Sequence, residues 1–249
     1  MTEEEYFSKH EAELGFPAPL HAGKKHYEYN MLAAQLRLQS GAFMTAFLDQ
    51  LRHAATTYAG NRPHLLYYPV NPSDLTVFVK PWASVLNKIY RVNCLDNRNY
   101  PRKPRSCELV TFSNLYGHPK MNDLLRARLV CRYMDGPQAI VTSLEEFCQT
   151  RSLSFNQYAM NNDAGYYARH CYIGLPVELM ISDRVEERSI PFELQITTQL
   201  AEAITSLTHE LYEGSRASRS ASGEGEWRWQ PESQRFRSAY LGHSLHLLA

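Results

Sequence analysis

The sequence lacks the features that would indicate a disulfide framework, a zinc cluster or a membrane span. Its five cysteines form no Cys-x-x-Cys pair and are odd in number, which argues against paired disulfides and a structural zinc site. No apolar run approaches the about 20 residues that span a bilayer. The charged N-terminus has no apolar stretch typical of a signal peptide. We therefore expect a cytoplasmic protein with no membrane association.

An excess of charge of either sign is also missing, because 26 lysines and arginines balance 26 aspartates and glutamates. Contact with nucleic acid would therefore have to come from local basic patches. Residues 23–29 (GKKHYEY) and 100–105 (YPRKPR) interleave basic side chains with tyrosine and are candidate patches. Ordinary solvated loop charge is the alternative for both segments.

The 249 residues divide by composition into four regions. Apolar residues at helical spacing predict an N-terminal helical region over 1–95. Strand and helix patterns interleave over 96–213, which we expect to be the core. Residues 214–226 contain no large apolar side chain and predict a flexible linker. Residues 227–249 form an aromatic and helical tail, which we expect to fold back on the core. This organisation predicts an α+β fold, a mixed sheet flanked by helices.

Two carboxylates are the first candidates for chemistry. Strand alternation in PFELQITT puts Glu193 and Gln195 on the face opposite to Leu194 and Ile196. Asp123 opens a second strand pattern, DLLRARLV. Carboxylates from neighbouring strands make a plausible Mg²⁺ site, since this ion prefers one or two carboxylates with substrate phosphate oxygens. A helix N-cap for Asp123 and an ordinary ion pair for Glu193 are the alternatives.

A third motif is GYYARH, residues 165–170. It is rich in aromatic residues and bounded by turn-forming residues, which predicts a strand. Alternation then places Tyr166 and His170 on the same face. Taken alone, the segment could equally be a half-buried edge strand without a function.

Together these motifs resemble the synthetase domain of the RelA/SpoT family, in particular its single-domain small alarmone synthetases. The family's Gly-Tyr, with a histidine four residues after the tyrosine, is matched by GYYARH. Its Glu-Ile-Gln-Ile-Arg-Thr motif is matched by ELQITT at 193–198, and its Asp-Leu…Arg motif by DLLRAR at 123–128. The similarity covers roughly residues 100–213 and includes His209 and Tyr212. It implies a nucleotidyltransferase-like core that moves pyrophosphate from ATP to a ribose 3′-hydroxyl.

The resemblance also implies a role for each residue of the site. Tyr166 would stack on the acceptor base, an interaction of about 1–3 kcal/mol, and His170 would reach phosphate oxygens of the transferred group. Asp123 would be the principal Mg²⁺ ligand, and Glu193 would help to hold Mg²⁺ and accept the 3′-hydroxyl proton. The residues expected to bind ATP or substrate are Arg102, Lys103, Arg105, Ser106, Arg128 and Gln195. For Arg128, a structural ion pair is the alternative.

Several departures from the family pattern concern the two substrates. Family members carry an Arg-x-Lys, a serine and a second lysine upstream of the aspartate. Here Ser106 matches the serine and Arg102 can stand for the lysine, but Tyr100 and Val110 replace the stacking arginine and the second lysine. The segment NQYAMNNDAG, which we expect to be a loop, lacks the lysines that hold the 5′-phosphates of guanine nucleotides. Thr197 replaces the arginine of the ELQITT-type motif.

Altered acceptor sites of this kind occur in members of the family that act as growth-arresting toxins. We therefore expect the acceptor to be the 3′-CCA end of tRNA, and an antitoxin protein as a partner. Synthesis of an alarmone from a free guanosine or adenosine nucleotide is the close alternative. A catalytically silent module that binds nucleotide or protein is the alternative from a different class.

One further pair, His243 and His246, has a spacing that can bind metal. The leucines between them and the lack of a nearby carboxylate or cysteine favour a helix packing face instead.

Overall fold

The computed structural model describes residues 2–16, 20–59, 65–102, 104–161, 167–181, 184–206, 231, 236–237, 239–241 and 243–244. The fold is α+β, a mixed sheet flanked by helices, which confirms the predicted class. Within this part of the chain, no helix combines the length and apolar character needed to cross a bilayer.

The first helices are α1 (Glu3–Leu14), α2 (Leu20–Ser40) and α3 (Ala42–Ala59). They are followed by β1 (Leu66–Tyr68), a 3₁₀ turn (Pro72–Asp74), β2 (Phe78–Val79), α4 (Trp82–Tyr90) and a π-helical turn (Arg91–Leu95). The remaining elements are β3 (Leu125–Cys131), α5 (Gly136–Thr150), β4 (Phe155–Asn161), β5 (Tyr167–Ile181) and β6 (Arg184–Thr198). Residues 199–206 are helical and continue directly from β6, as the sequence indicates.

The strands form one sheet in the order β1-β3-β6-β5-β4, and β2 also pairs with β3. Both β1 and β2 run antiparallel to β3. The sequence-based expectation of a loop over NQYAMNNDAG (156–165) is wrong for residues 156–161, which lie in β4 at one end of this order. The reason is that β4 hydrogen-bonds to β5, so its backbone groups are satisfied by the strand ladder.

Backbone contacts divide the chain into two compact units, each assembled from three stretches. Unit one contains Met1–Thr45, Val77–Ala127 and Tyr172–Glu193, and unit two contains Ala46–Thr76, Arg128–Cys171 and Leu194–Ala249. Strands β3, β5 and β6 therefore contribute residues to both units. The boundaries after residues 95, 213 and 226 stay a prediction.

In unit one, local sequence signals determine where α1 begins and ends. Thr2 and Glu5 form a capping box, in which the Glu5 backbone N–H donates to Thr2 Oγ1 and the Thr2 N–H donates to Glu5 Oε2. Gly15 ends the helix at φ 64°, a left-handed conformation that glycine adopts without a steric penalty.

Helix α2 of the same unit is fixed by two polar contacts to the surrounding elements. The Tyr27 hydroxyl donates to the carbonyl of Lys80 at 2.6 Å. The fully buried side chain of Asn30 donates to the Tyr116 hydroxyl and to the carbonyl of Met180, each at 2.9 Å. Because buried amides must be hydrogen-bonded, these contacts determine the position of α2. They also bring α2 against the residue that follows β2.

In unit two, α5 packs against the end of β3. Its buried residues recur at helical spacing and are Ile140, Val141, Leu144, Phe147 and Cys148. At the start of the helix, a Cβ on Gly136 would lie 2.7 Å from Cys131 Cβ and 2.9 Å from Leu65 Cδ1. Only glycine permits this close approach.

Candidate active site

Asp123 lies just before β3 and is bound by two lysines. Lys80 Nζ is 2.8 Å from Oδ2, and Lys88 Nζ is 2.8 Å from Oδ1. The side chains are only 12% (Lys80), 21% (Lys88) and 18% (Asp123) exposed. The carboxylate thus holds two ammonium groups in a largely desolvated pocket, where charge interactions are stronger than at the surface.

The fold explains why these two lysines meet Asp123. Lys80 follows β2, whose Val79 pairs with Leu125, and the Lys80 N–H donates to the carbonyl of Leu124 at 2.9 Å. Antiparallel pairing therefore carries Lys80 to the residue before β3. Lys88 lies on α4 between the buried Val85 and Ile89. Its stem therefore runs along the face of the helix that packs inward.

The surroundings of this cluster shift the pKa values of Asp123 and Lys88. Burial alone would raise the pKa of Asp123, but the ammonium groups of Lys88 and Lys80 outweigh burial and hold that pKa below its ordinary value. Burial lowers the pKa of Lys88, although Asp123 and Glu193 both act to raise it. Asp123 is therefore ionised at neutral pH.

Glu193 belongs to the same unit and acts on the same ammonium group. Its side chain is 3% exposed, and the Tyr172 hydroxyl donates to its Oε1 at 3.2 Å. Its charge favours the protonated form of Lys88. Burial does not alternate along this part of β6, because Phe192, Glu193 and Leu194 are all buried while Gln195 is half-buried. The assignment of Glu193 and Gln195 to one face stays a prediction.

The donor chemistry of this cluster fits a magnesium ion bound together with a triphosphate. Among the described residues no group of three or more histidines, cysteines and carboxylates could hold a metal on its own. Mg²⁺, however, is commonly held by one or two carboxylates together with phosphate oxygens. In such a complex Asp123 and Glu193 would provide the carboxylates, and Lys80 and Lys88 would provide cations. Their role as metal ligands stays a prediction.

Three of the predicted site residues lie in unit two. His170 is 8% exposed and Gln195 is half-buried. Arg128 makes an ion pair with Glu202, with its Nη1 2.8 Å from Oε1. The structure therefore contains the ion pair that was the alternative interpretation of Arg128. Contact of Arg128 with ATP stays a prediction.

The basic loop upstream of Asp123 lies elsewhere in unit one. Arg102, Arg105 and Ser106 are exposed. Arg102 borders a cleft that is also lined by Tyr6, His10 and Tyr100. In the described part of the chain, the ion pairs of Asp123 are with Lys80 and Lys88 rather than with this loop. The role of the loop in ATP binding is therefore untested.

Several predicted residues fall outside the described part of the chain. They are Tyr166, Lys103, His209 and Tyr212, together with His246 and the expected linker over 214–226.

The sequence analysis missed Lys80, Lys88 and Tyr172. A signal was present for each. Lys80, Ser84 and Lys88 follow the order lysine, serine, lysine upstream of Asp123. The sequence analysis assigned this order to the segment around Ser106 instead. Lys88 is also the one cation within an otherwise apolar face of α4. Tyr172 lies two residues after His170, so alternation places it on the same face of β5.

The structure defines an α+β protein with a site of two carboxylates and two lysines, and comparison with known proteins gives distant matches. No family model and no curated protein matches the sequence. Small alarmone synthetase 1 from Bacillus subtilis, bound to its product pppGpp, matches with a TM-score of 0.47 and 18% identity over 81% of this chain and 83% of that chain.

Small alarmone synthetase 2 from Bacillus subtilis matches with a TM-score of 0.49 and 17% identity over 88% of this chain and 93% of that chain. A GTP pyrophosphokinase family protein from Streptococcus pneumoniae matches with a TM-score of 0.46 and 16% identity over 81% and 83%. Similarity at this level does not establish an activity.

Proposed function

We propose that the protein is a Mg²⁺-dependent pyrophosphokinase that transfers the β,γ-pyrophosphoryl group of ATP to a ribose 3′-hydroxyl. The observation that supports this most is the convergence of charge in unit one. Asp123 holds the ammonium groups of Lys80 and Lys88, and Glu193 acts on Lys88. Phosphoryl transfer needs mainly positioning and neutralisation of charge, which carboxylates, a metal and lysines supply.

In the proposed reaction, the 3′-oxygen attacks the β-phosphorus of ATP. The bond between this phosphorus and the oxygen bridging to the α-phosphorus breaks, and AMP leaves. Glu193 accepts the proton of the 3′-hydroxyl, and its hydrogen bond from Tyr172 holds the carboxylate in one orientation. Lys80 and Lys88 exchange Asp123 for phosphate oxygens when the triphosphate arrives. Asp123 and Glu193 would hold Mg²⁺, which would neutralise charge on the triphosphate.

We further propose that the acceptor is the 3′-CCA end of tRNA, and that the protein restrains growth until an antitoxin binds it. Strand β4, which precedes the Gly-Tyr motif, supports this choice. It carries no lysine and exposes Tyr158 and Met160. Such a surface offers no ammonium for the 5′-phosphates of a free nucleotide, whereas an aromatic side chain suits stacking against a base.

Transfer of label from γ-³²P-ATP tests both proposals. Deacylated tRNA is the expected acceptor, and tRNA ending in 3′-deoxyadenosine should receive no label. Label on GDP, GTP, AMP or ATP instead would identify an alarmone synthetase. Absence of label on every acceptor in the presence of Mg²⁺ would favour the silent binding module.

Two substitutions test the assigned roles. Glu193→Gln should abolish transfer while keeping the fold, because the amide oxygen can still accept from Tyr172. Tyr166→Ala should abolish transfer by removing the stacking surface. Glu178→Gln, an exposed carboxylate on β5, is the matched control and should leave the rate unchanged. Near-wild-type turnover in Glu193→Gln would show that another group takes the proton.

A further inference from the structure

We propose that the C-terminal segment 236–244 clamps the first residue of β5 through His243, and that this clamp sets the affinity for the acceptor. The clamp itself rests on contacts within unit two. Its effect on the acceptor rests on the proposed function, through the stacking role of Tyr166.

His243 contacts Tyr167 in two ways. Its Nδ1 is 2.8 Å from the Tyr167 hydroxyl, within hydrogen-bond distance. The two rings also meet edge to face, with centroids 6.0 Å apart and planes at 85°. An edge-to-face pair combined with a hydrogen bond determines the orientation of both rings.

The segment that carries His243 is anchored by its own apolar residues. Phe236 is 7% exposed and Ala239 is fully buried. These positions and His243 follow the spacing i, i+3 and i+7, which places them on one helical face. Arg237 Nε also donates to the carbonyl of Pro231 at 2.8 Å. His243 is therefore held against unit two by packing and not only by its bond to Tyr167. The expectation that the tail folds back on the core agrees with these contacts.

The backbone of Tyr167 is held from a different strand. Thr197 Oγ1, on β6, donates to the carbonyl of Tyr167 at 3.0 Å, and the Thr197 side chain is buried. Thr197 stands where the resemblance would place an arginine. A short hydroxyl at this position fixes the backbone of β5, whereas a guanidinium would reach further to bind an anion.

Arg169, two residues further along β5, makes the third set of contacts. Arg169 Nη2 donates to Gln138 Oε1 at 2.8 Å, and its Nη1 donates to Gln157 Oε1 at 3.3 Å. These bonds tie β5 to α5 and β4. The first residues of β5 are therefore restrained by three elements of the fold and by the tail, and the tail can be altered without changing the sheet.

The clamp matters for function because Tyr166 immediately precedes Tyr167. A stacking ring contributes to affinity only to the extent that its backbone is already ordered before the acceptor arrives. Loss of the His243 contact should therefore weaken the acceptor complex. It should leave ATP binding at the Asp123 cluster unchanged.

Hydrogen exchange tests the clamp without requiring activity. We expect the β5 amides from Tyr167 to Tyr172 to exchange faster in His243→Ala than in wild type. His243→Asn should restore protection, since its amide lies at the same distance from the backbone as Nδ1. Tyr167→Phe should match His243→Ala, and the double variant should show no additional increase. Tyr240→Phe removes an exposed tail hydroxyl and should match wild type. Unchanged exchange in His243→Ala would overturn the clamp.

Steady-state kinetics test its effect on the acceptor. We expect His243→Ala to raise the acceptor KM about tenfold, as for the loss of one hydrogen bond, with the ATP KM and kcat near wild type. Faster exchange with an unchanged acceptor KM would overturn the link to the acceptor while leaving the clamp. If wild type transfers no label to any acceptor, the proposed function fails, and the exchange result still decides the clamp.

Discussion

Two basic segments precede Asp123, and they differ in what their charges do. Lys80 and Lys88 are 12% and 21% exposed and each lies 2.8 Å from the carboxylate of Asp123. Arg102 and Arg105 are exposed. Exposed charges interact weakly because water screens them, whereas desolvated pairs are strongly coupled. Basic residues therefore give an organised cluster in one segment and exposed charges in the other.

The difference arises from the backbone that carries each segment. Strand β2 and the apolar face of α4 bring their lysines inward. The loop is held by its asparagines instead. Asn97 Nδ2 donates to the carbonyl of Arg102 at 2.6 Å, and the buried Asn93 makes two bonds to the backbone of Val110. These contacts determine the path of the loop and leave its guanidinium groups exposed.

The largest effect should come from removing the carboxylate of the organised cluster. Asp123→Asn removes the carboxylate that two poorly solvated ammonium groups share, which should lower the free energy of unfolding by about 3 kcal/mol. Transfer activity should also be lost. Urea denaturation and the labelling assay would measure both. Asp96→Asn removes an exposed carboxylate 3.8 Å from Arg91 and should change stability by less than about 0.5 kcal/mol. Similar losses for the two variants would contradict the view that burial distinguishes them.

A direct comparison of the two segments should give the next largest effect. Lys88→Met should lower the rate of transfer by about 10²-fold by removing a preorganised cation. It should destabilise the protein less than Asp123→Asn, because Lys80 still pairs with the carboxylate. Arg102→Met should lower the rate less than Lys88→Met does, because an exposed guanidinium is less preorganised than a desolvated ammonium. The ATP KM and kcat of both variants would be measured. An equal or larger loss for Arg102→Met would assign the triphosphate to the loop.

The features that could be predicted from the sequence are those with a local signal. The strand pattern of PFELQITT predicted β6, and the apolar spacing of the N-terminal region predicted helices there. Strand β2 has only two residues and exists through its pairing with β3, so no local pattern marks it. The contacts of Asp123 with Lys80 and Lys88 span 43 and 35 residues. Such contacts depend on tertiary structure, so the lysine, serine, lysine order does not by itself show that both lysines reach the aspartate.

The smallest expected effect concerns pH and separates the organised cluster from exposed carboxylates. The folded pKa of Asp123 lies below its ordinary value of 3.8, because the attraction of Lys88 and Lys80 outweighs burial. A group of this kind contributes stability that is fully present above its unfolded pKa and is lost as pH falls through the folded pKa. Wild type should therefore lose stability as pH falls below about 4, and Asp123→Asn should lose less over the same range. Urea midpoints between neutral pH and pH 3 would measure the difference, with Asp96→Asn expected to follow wild type. Parallel pH profiles for wild type and Asp123→Asn would show that the lysines do not hold this carboxylate in its ionised form.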